Sequence, residues 1–157
     1  MDCTFKTNEG NFNFRVAAII TNGTKVLMAN NPVDKSCCYS LGGRVRLNET
    51  LEEAVLREVY EETGINVEID RMGFIHENFF TSFEGEHYHE ISVFFYIKPN
   101  DKILNIKNGH LTDDGPDGEY LEWIDLNSVQ DKKVFPEFYF SELKNRTDQI
   151  KHIVTFE

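Results

Sequence analysis

The sequence predicts a single mixed α/β (α+β) domain over residues 1–157. Its 157 residues match the length of about one domain, and 40% of them are apolar, enough for one core. Strand-like and helix-like patterns alternate with no internal repeat, low-complexity tract or Pro/Ser linker between them. One segment, 51–63, carries complete helix start and stop signals, whereas most of the others show strand periodicity bounded by turn residues.

Taken in order, 14–20 (FRVAAII) and 25–29 (KVLMA) flank Thr21-Asn22-Gly23-Thr24, and Asn-Gly between apolar runs predicts an antiparallel hairpin. Residues 30–38 (NNPVDKSCC) read as a loop, followed by a short strand, Tyr39 to Leu41, and the Gly42-Gly43 pair. Residues 51–63 (LEEAVLREVYEET) contain no Gly or Pro. Thr50 and Glu53 form a T-x-x-E capping box at their start, and Gly64 supplies a left-handed stop. Two long strands are expected at 67–80 and 87–98, the second with Ile91, Val93, Phe95 and Ile97 on one face, joined by a turn at Thr81 to Glu86. From Asn108 to Asp131 there are seven acidic residues and no Lys or Arg, opening with a Gly- and Asp-rich loop over 109–118 that reads as a mobile lid. A strand from Tyr120 to Ile124 holds the only tryptophan, Trp123. Asp125 or Asn127 is a candidate cap for a short helix, Pro136 suits the first turn of another, and Ile150 to Phe156 closes as a strand.

Charge and composition exclude several functions. With 16 basic and 27 acidic residues the formal net charge is −11, which repels nucleic-acid polymers and anionic membranes. No apolar run approaches the roughly 20 residues a membrane helix needs, and the amino terminus lacks a secretory pattern, so a cytoplasmic location is expected. Cys3, Cys37 and Cys38 suit neither a disulfide framework nor a zinc ribbon.

On a helical wheel with Glu58 at zero, Glu61 falls near −60° and Glu62 near +40° at about 100° per residue. Leu51, Ala54 and Val55 fall near +20°, −40° and +60° on the same wheel, so three carboxylates continue the stripe that should pack against the core. Carboxylates crowded on a partly buried face resist ionisation unless a positive charge joins them. Clustered Glu without His or Cys favours a hard cation, Mg2+ or Mn2+, over zinc.

Gly43 through Ile65 (GRVRLNETLEEAVLREVYEETGI) resembles the Nudix hydrolase signature G-x5-E-x7-R-E-U-x-E-E-x-G-U, where U is a bulky aliphatic residue. Gly43, Glu49, Arg57, Glu58, Val59, Glu61, Glu62, Gly64 and Ile65 occupy every specified position. The resemblance implies an α/β/α sandwich with a mixed central sheet. It also implies hydrolysis of a nucleoside diphosphate linked to another group, with water attacking phosphorus of the pyrophosphate. By motif position Glu58, Glu61 and Glu62 are the metal-binding acids, with the Gly42 carbonyl as a further ligand. Arg57 is placed as an orienting residue paired with Glu49 or Glu61.

The general base is open between Glu58 or Glu61 and two acids outside the box, Asp117 and Glu119. Glu77, Phe79 and His89, flanking the central turn, are candidates for contacts with the substrate's base, ribose or phosphate. The expected partner is a small nucleotide diphosphate, with no nucleic-acid polymer and no membrane, and assembly as a homodimer is left open. The lack of proline between the box and Pro99 weakens the resemblance to the ADP-ribose branch of the family. A nucleotide-binding sensor or regulator without turnover is the alternative function, and its expected sign, loss of box carboxylates, is not seen here.

Overall fold

The computed structural model describes residues 1–30, 34–112, 118–128 and 130–157. Along the chain run β1 (Thr4–Lys6), β2 (Asn11–Ile19), β3 (Thr21–Asn22), β4 (Lys25–Asn30), β5 (Cys37–Arg44) and α1 (Leu51–Thr63). Then follow β6 (Glu68–Thr81), β7 (His87–Lys98), α2 (Asp101–Leu104), β8 (His110–Leu111) and β9 (Tyr120–Asp125). The chain ends with β10 (Lys133–Phe135), α3 (Tyr139–Glu142) and β11 (Lys151–Phe156).

The strands form a mixed sheet in the order β11-β6-β7-β2-β5-β4-β9-β8, with β1 beside β2, β3 beside β4 and β10 beside β5. Parallel pairs (β2 with β7, β11 with β6, β10 with β5) stand among antiparallel ones. Alternation along the strands builds two cores. Val16, Ala18, Val93, Phe95 and Ile97 pack with Ala54, Val55 and Val59 of α1 on one face. Ala17, Ile19, Phe74, Phe94 and Tyr96 pack with Tyr139 of α3 on the other. A mixed sheet lies between helices, as the family resemblance implied.

The expected hairpin is only partly present. Ile20 to Asn22 pair with Lys25 to Leu27, through the Leu27 N–H to Ile20 carbonyl bond (2.9 Å) and the β3–β4 ladder. The body of β2 pairs instead with β5 and β7, and β5 sits between β2 and β4. The Asn-Gly turn fixes the local reversal, while β5 takes the place beside β2.

Other departures are local. The 39–41 strand starts earlier and runs through both glycines to Arg44. Asp125 caps a turn rather than a helix, its Oδ1 accepting the Asn127 N–H at 3.0 Å. Pro136 lies upstream of α3, its carbonyl accepting the Tyr139 N–H at 3.2 Å. Within the expected lid, His110–Leu111 is a strand on β9, and 113–117 lie outside the described residues. Cys37 and Cys38 are free and buried, and burial pushes the Cys38 thiol up to about 11.

Candidate active site

The helix that carries the acids forms as its end signals dictate. The Thr50 side chain accepts the Glu53 N–H while Glu53 Oε2 accepts the Thr50 N–H at 2.8 Å, and Gly64 closes the helix in the left-handed region at φ 72°. Ala54, Val55, Val59, Glu62 and Thr63 are its buried residues. On the wheel they span an arc from about −40° to about +140°. Glu62 therefore lies inside the packed arc and Glu61 at its rim, which agrees with 7% exposure for Glu62 and a 40% exposed Glu61 side chain.

The preceding strand receives these acids through its two glycines. Gly42 has φ 148°, and its N–H donates to Glu62 Oε2 at 3.2 Å. A side chain there would run into the Val16 carbonyl of β2. At Gly43 a Cβ would stand 2.5 Å from the Glu58 carboxyl atoms, so Glu58 lies directly over the bare backbone. The glycine pair thus brings strand and carboxylates together.

Arg57 ties the cluster. Its Nε donates to Glu49 Oε1 (2.6 Å), one terminal nitrogen to Glu58 Oε1 (2.5 Å) and Glu61 Oε2 (3.2 Å), and the other to the Arg44 carbonyl (3.0 Å) and Glu49 Oε2 (2.9 Å). This bonding holds Glu49 below the usual carboxylate range. Burial lifts Glu62 well above that range, with the negative charges of Glu119 and Glu58 adding to it. Burial also raises Glu58, against the pull of Arg57. Glu119, proposed from the loop before Trp123, is thus close enough for its charge to act on Glu62, while Asp117 lies outside the described residues.

The donor set suits a divalent cation: the carboxylates of Glu49, Glu58, Glu61 and Glu62 lie close together, with Glu62 poorly solvated, and outnumber the two guanidiniums paired with them, Arg57 and Arg46. As arranged, Glu58 and Glu61 turn toward Arg57, and among the described residues no three acidic, His or Cys side chains converge on one point. Coordination by all three glutamates therefore requires Glu58 and Glu61 to rotate off Arg57.

A cavity of about 610 Å³ opens beside Gly42. Arg15, Glu90, Ser92, His76 and Asn78 supply polar groups to it, and Tyr39, Phe80, Phe83 and Phe135 supply aromatic ones. Thr155 of β11 donates to Asn78 Oδ1 (2.6 Å) and so accepts from His76 Nε2 (2.8 Å). That polarity leaves the Asn78 amide N–H groups to face outward from the bond. Burial lowers His76 to about 4, so its ring is neutral at physiological pH.

Glu77, Phe79 and His89 are brought together, but not at this cavity. His89 Nε2 lies 2.9 Å from Glu77 Oε1, and the Phe79 and His89 rings stack at 4.3 Å. Alternation along β6 and β7 puts these three on the sheet face opposite His76, Asn78 and Glu90. The three therefore share a face of β6 and β7 that does not line the cavity. Arg15, His76, Asn78 and Glu90 carried a period-two signal, but periodicity alone does not say which wet face looks into a cavity.

A family model described as a NUDIX domain matches residues 12–143. The chain belongs to the Nudix family. An ADP-ribose pyrophosphatase of Methanocaldococcus jannaschii is 34% identical over 117 residues, covering 73% of this chain and 62% of that protein. A putative nudix hydrolase 1 of Caenorhabditis elegans is 32% identical over 141 residues, covering 84% of this chain and 34% of that one. The Nudix chain thus spans less than two thirds of either relative. Among solved structures, a mutator MutT protein from Bacillus halodurans shares the fold with a TM-score of 0.63 at 19% identity, covering 92% of this chain and 89% of that one. No helix of the described residues is long and apolar enough to cross a membrane.

Proposed function

We propose that this Nudix chain is a hydrolase, dependent on Mg2+ or Mn2+, that cleaves the pyrophosphate of a nucleoside diphosphate linked to another group. The observation that carries the proposal is Glu62: a carboxylate 7% exposed, against the Gly42 N–H, with Glu58 over Gly43 and the charge of Glu119 close by. Burying like charges destabilises a fold unless a cation accompanies them. Glu58, Glu61, Glu62 and the Gly42 carbonyl are the assigned ligands. A bound divalent ion supplies charge neutralisation on phosphate oxygens and an acidified water.

The chain's own residues do the rest. Arg57 gathers Glu49, Glu58 and Glu61 beside one guanidinium, and Glu58 and Glu61 would turn from it to reach the ion while Glu49 keeps Arg57 in place. Glu119, immediately before β9 and near enough for its charge to add to the effect of burial on Glu62, is assigned as the proton acceptor. The cavity beside Gly42 receives the nucleoside, with aromatic rings for the base and polar groups for its edges.

The test is a phosphate-release assay, coupled to a phosphatase, on a panel led by ADP-ribose and including nucleotide sugars, dinucleotide polyphosphates and nucleoside triphosphates. Hydrolysis of one panel member that requires Mg2+ or Mn2+ supports the reading. Binding without turnover on the whole panel would point to the sensor alternative.

A further inference from the structure

Three arginine side chains stand at the candidate active site, and their surroundings differ: Arg46 reaches Glu61 Oε1 at 3.4 Å from an exposed position. All three nitrogens of Arg57 are engaged by protein acceptors. Arg15 makes no side-chain hydrogen bond among the described residues, and the nearest carboxylate oxygen in its ion pair, Glu90 Oε2, is 3.8 Å away. Its side chain is 40% exposed and lines the cavity next to Gly42. In the ladders it lies between Ser92 of β7 and Arg44 of β5, two residues along β2 from Ala17, which pairs with Gly42. Its positive charge acts on both Glu58 and Glu62.

Glu90 does not depend on Arg15. Asn13 Nδ2 donates to its Oε2 at 3.2 Å and Ser92 Oγ to its Oε1 at 3.3 Å. The carboxylate therefore keeps two donors when the guanidinium leaves, and the 3.8 Å pair can open with little loss. A guanidinium with unengaged donors, facing a cavity that adjoins an acidic cluster, has the fork geometry that phosphate oxygens accept in pairs.

We infer that Arg15 is the phosphate clamp of this site, moving off Glu90 to bind the pyrophosphate between the glutamates and the nucleoside cavity, with Glu90 as its holding partner in the free protein. This rests on the hydrolase reading for the identity of the ligand, but it concerns binding and can be measured without turnover. Glu90 and the pyrophosphate compete for one cation. Removing Glu90's charge therefore strengthens phosphate binding, while removing Arg15's weakens it. A purely structural Arg15–Glu90 pair predicts instead that the two variants shift together.

Calorimetric titration of methylenediphosphonate, a non-hydrolysable pyrophosphate analogue, into the full chain with saturating Mg2+ tests this. Arg15→Ala should weaken binding about tenfold, the loss of one charge-assisted contact. Arg15→Lys should lose less, because the charge survives without the fork. Glu90→Gln should tighten binding several-fold, and circular dichroism should show all three variants folded. Equal affinity in wild type and Arg15→Ala, weaker binding by Glu90→Gln, or no binding by wild type would overturn the assignment. The panel assay separates the two claims. An Arg15-dependent affinity in a protein that hydrolyses nothing keeps the clamp and removes the hydrolase. Wild-type hydrolysis with an Arg15→Ala variant unchanged in kcat, KM and analogue affinity does the reverse.

Discussion

Gly42 and Gly43 are adjacent, yet alanine at each should fail in a different way. At Gly42 the backbone φ is 148°, where a side chain is strained, and the new Cβ would meet the Val16 carbonyl, a backbone atom fixed in β2. Strain of about 1–3 kcal/mol and overpacking of about 1–3 kcal/mol together give ~2–6 kcal/mol of destabilisation. At about 2–4 °C per kcal/mol for a chain of this size, Gly42→Ala should melt roughly 5–20 °C below wild type. At Gly43 the nearest atoms all belong to the Glu58 carboxyl, 2.5 Å from the new Cβ, and ordinary contact begins near 3.4 Å. Glu58 must therefore retreat by about 1 Å, which its side chain can do without moving backbone. Gly43→Ala should keep its melting temperature within a few degrees but lose on the order of 100-fold in turnover, as a 1 Å misplacement of a reacting group can. Differential scanning fluorimetry and the phosphate-release assay give both numbers. Wild-type turnover in Gly43→Ala, or a wild-type melting temperature in Gly42→Ala, would refute the packing argument.

Mg2+ at about 100 times its dissociation constant should stabilise the nucleotide-free protein by ~2.7 kcal/mol, or about 5–10 °C in melting temperature, with matched NaCl having no comparable effect. Without metal, Glu62 resists ionisation in the fold, so its contribution is fully present below the unfolded carboxylate pKa and is lost as pH rises through the raised folded value. Metal-free Glu62→Gln should therefore be more stable than wild type at neutral pH, an advantage that shrinks in acid and on adding Mg2+; equal melting curves at neutral pH would contradict this. His76 has the opposite profile. With its pKa held near 4 against 6.5 for the free side chain, its contribution is present above pH 6.5 and lost as pH falls toward 4, with a ceiling of about 3 kcal/mol at ~1.4 kcal/mol per pH unit. His76→Gln should flatten the acid limb of a urea-denaturation series, and an unchanged limb would contradict the buried neutral ring.

The helix was legible to the residue, 51–63, because its signals are local: a capping box at Thr50, a left-handed glycine at 64 and no breaker between them. The strands at 87–98 and near 67–80 were legible for the same reason, since alternation needs no partner to be read. Partner choice was not. The Asn-Gly turn is real, but the place beside β2 goes to β5, a decision made by long-range packing. Short elements such as β1, α2, β8 and β10 carry too few residues for a period to show. At the site, Glu58, Glu61 and Glu62 followed from one helical wheel. Arg15 and Glu90 come together only when β2 and β7 pair in parallel, which no nearby residues announce. Glu77, Phe79 and His89 show the same limit: they lie on the face away from the cavity, and a one-residue offset on a strand changes the face.

Turnover by Glu61→Gln and Glu62→Gln at saturating Mg2+, on whichever panel nucleotide the wild type cleaves, tests the role of the acidic helix most directly. Each substitution removes one metal-binding charge at nearly constant shape, so both variants should fold as wild type and lose most hydrolysis, on the order of 100-fold or more. Near-normal turnover in both purified variants would contradict the assignment of the acidic helix as the catalytic metal site.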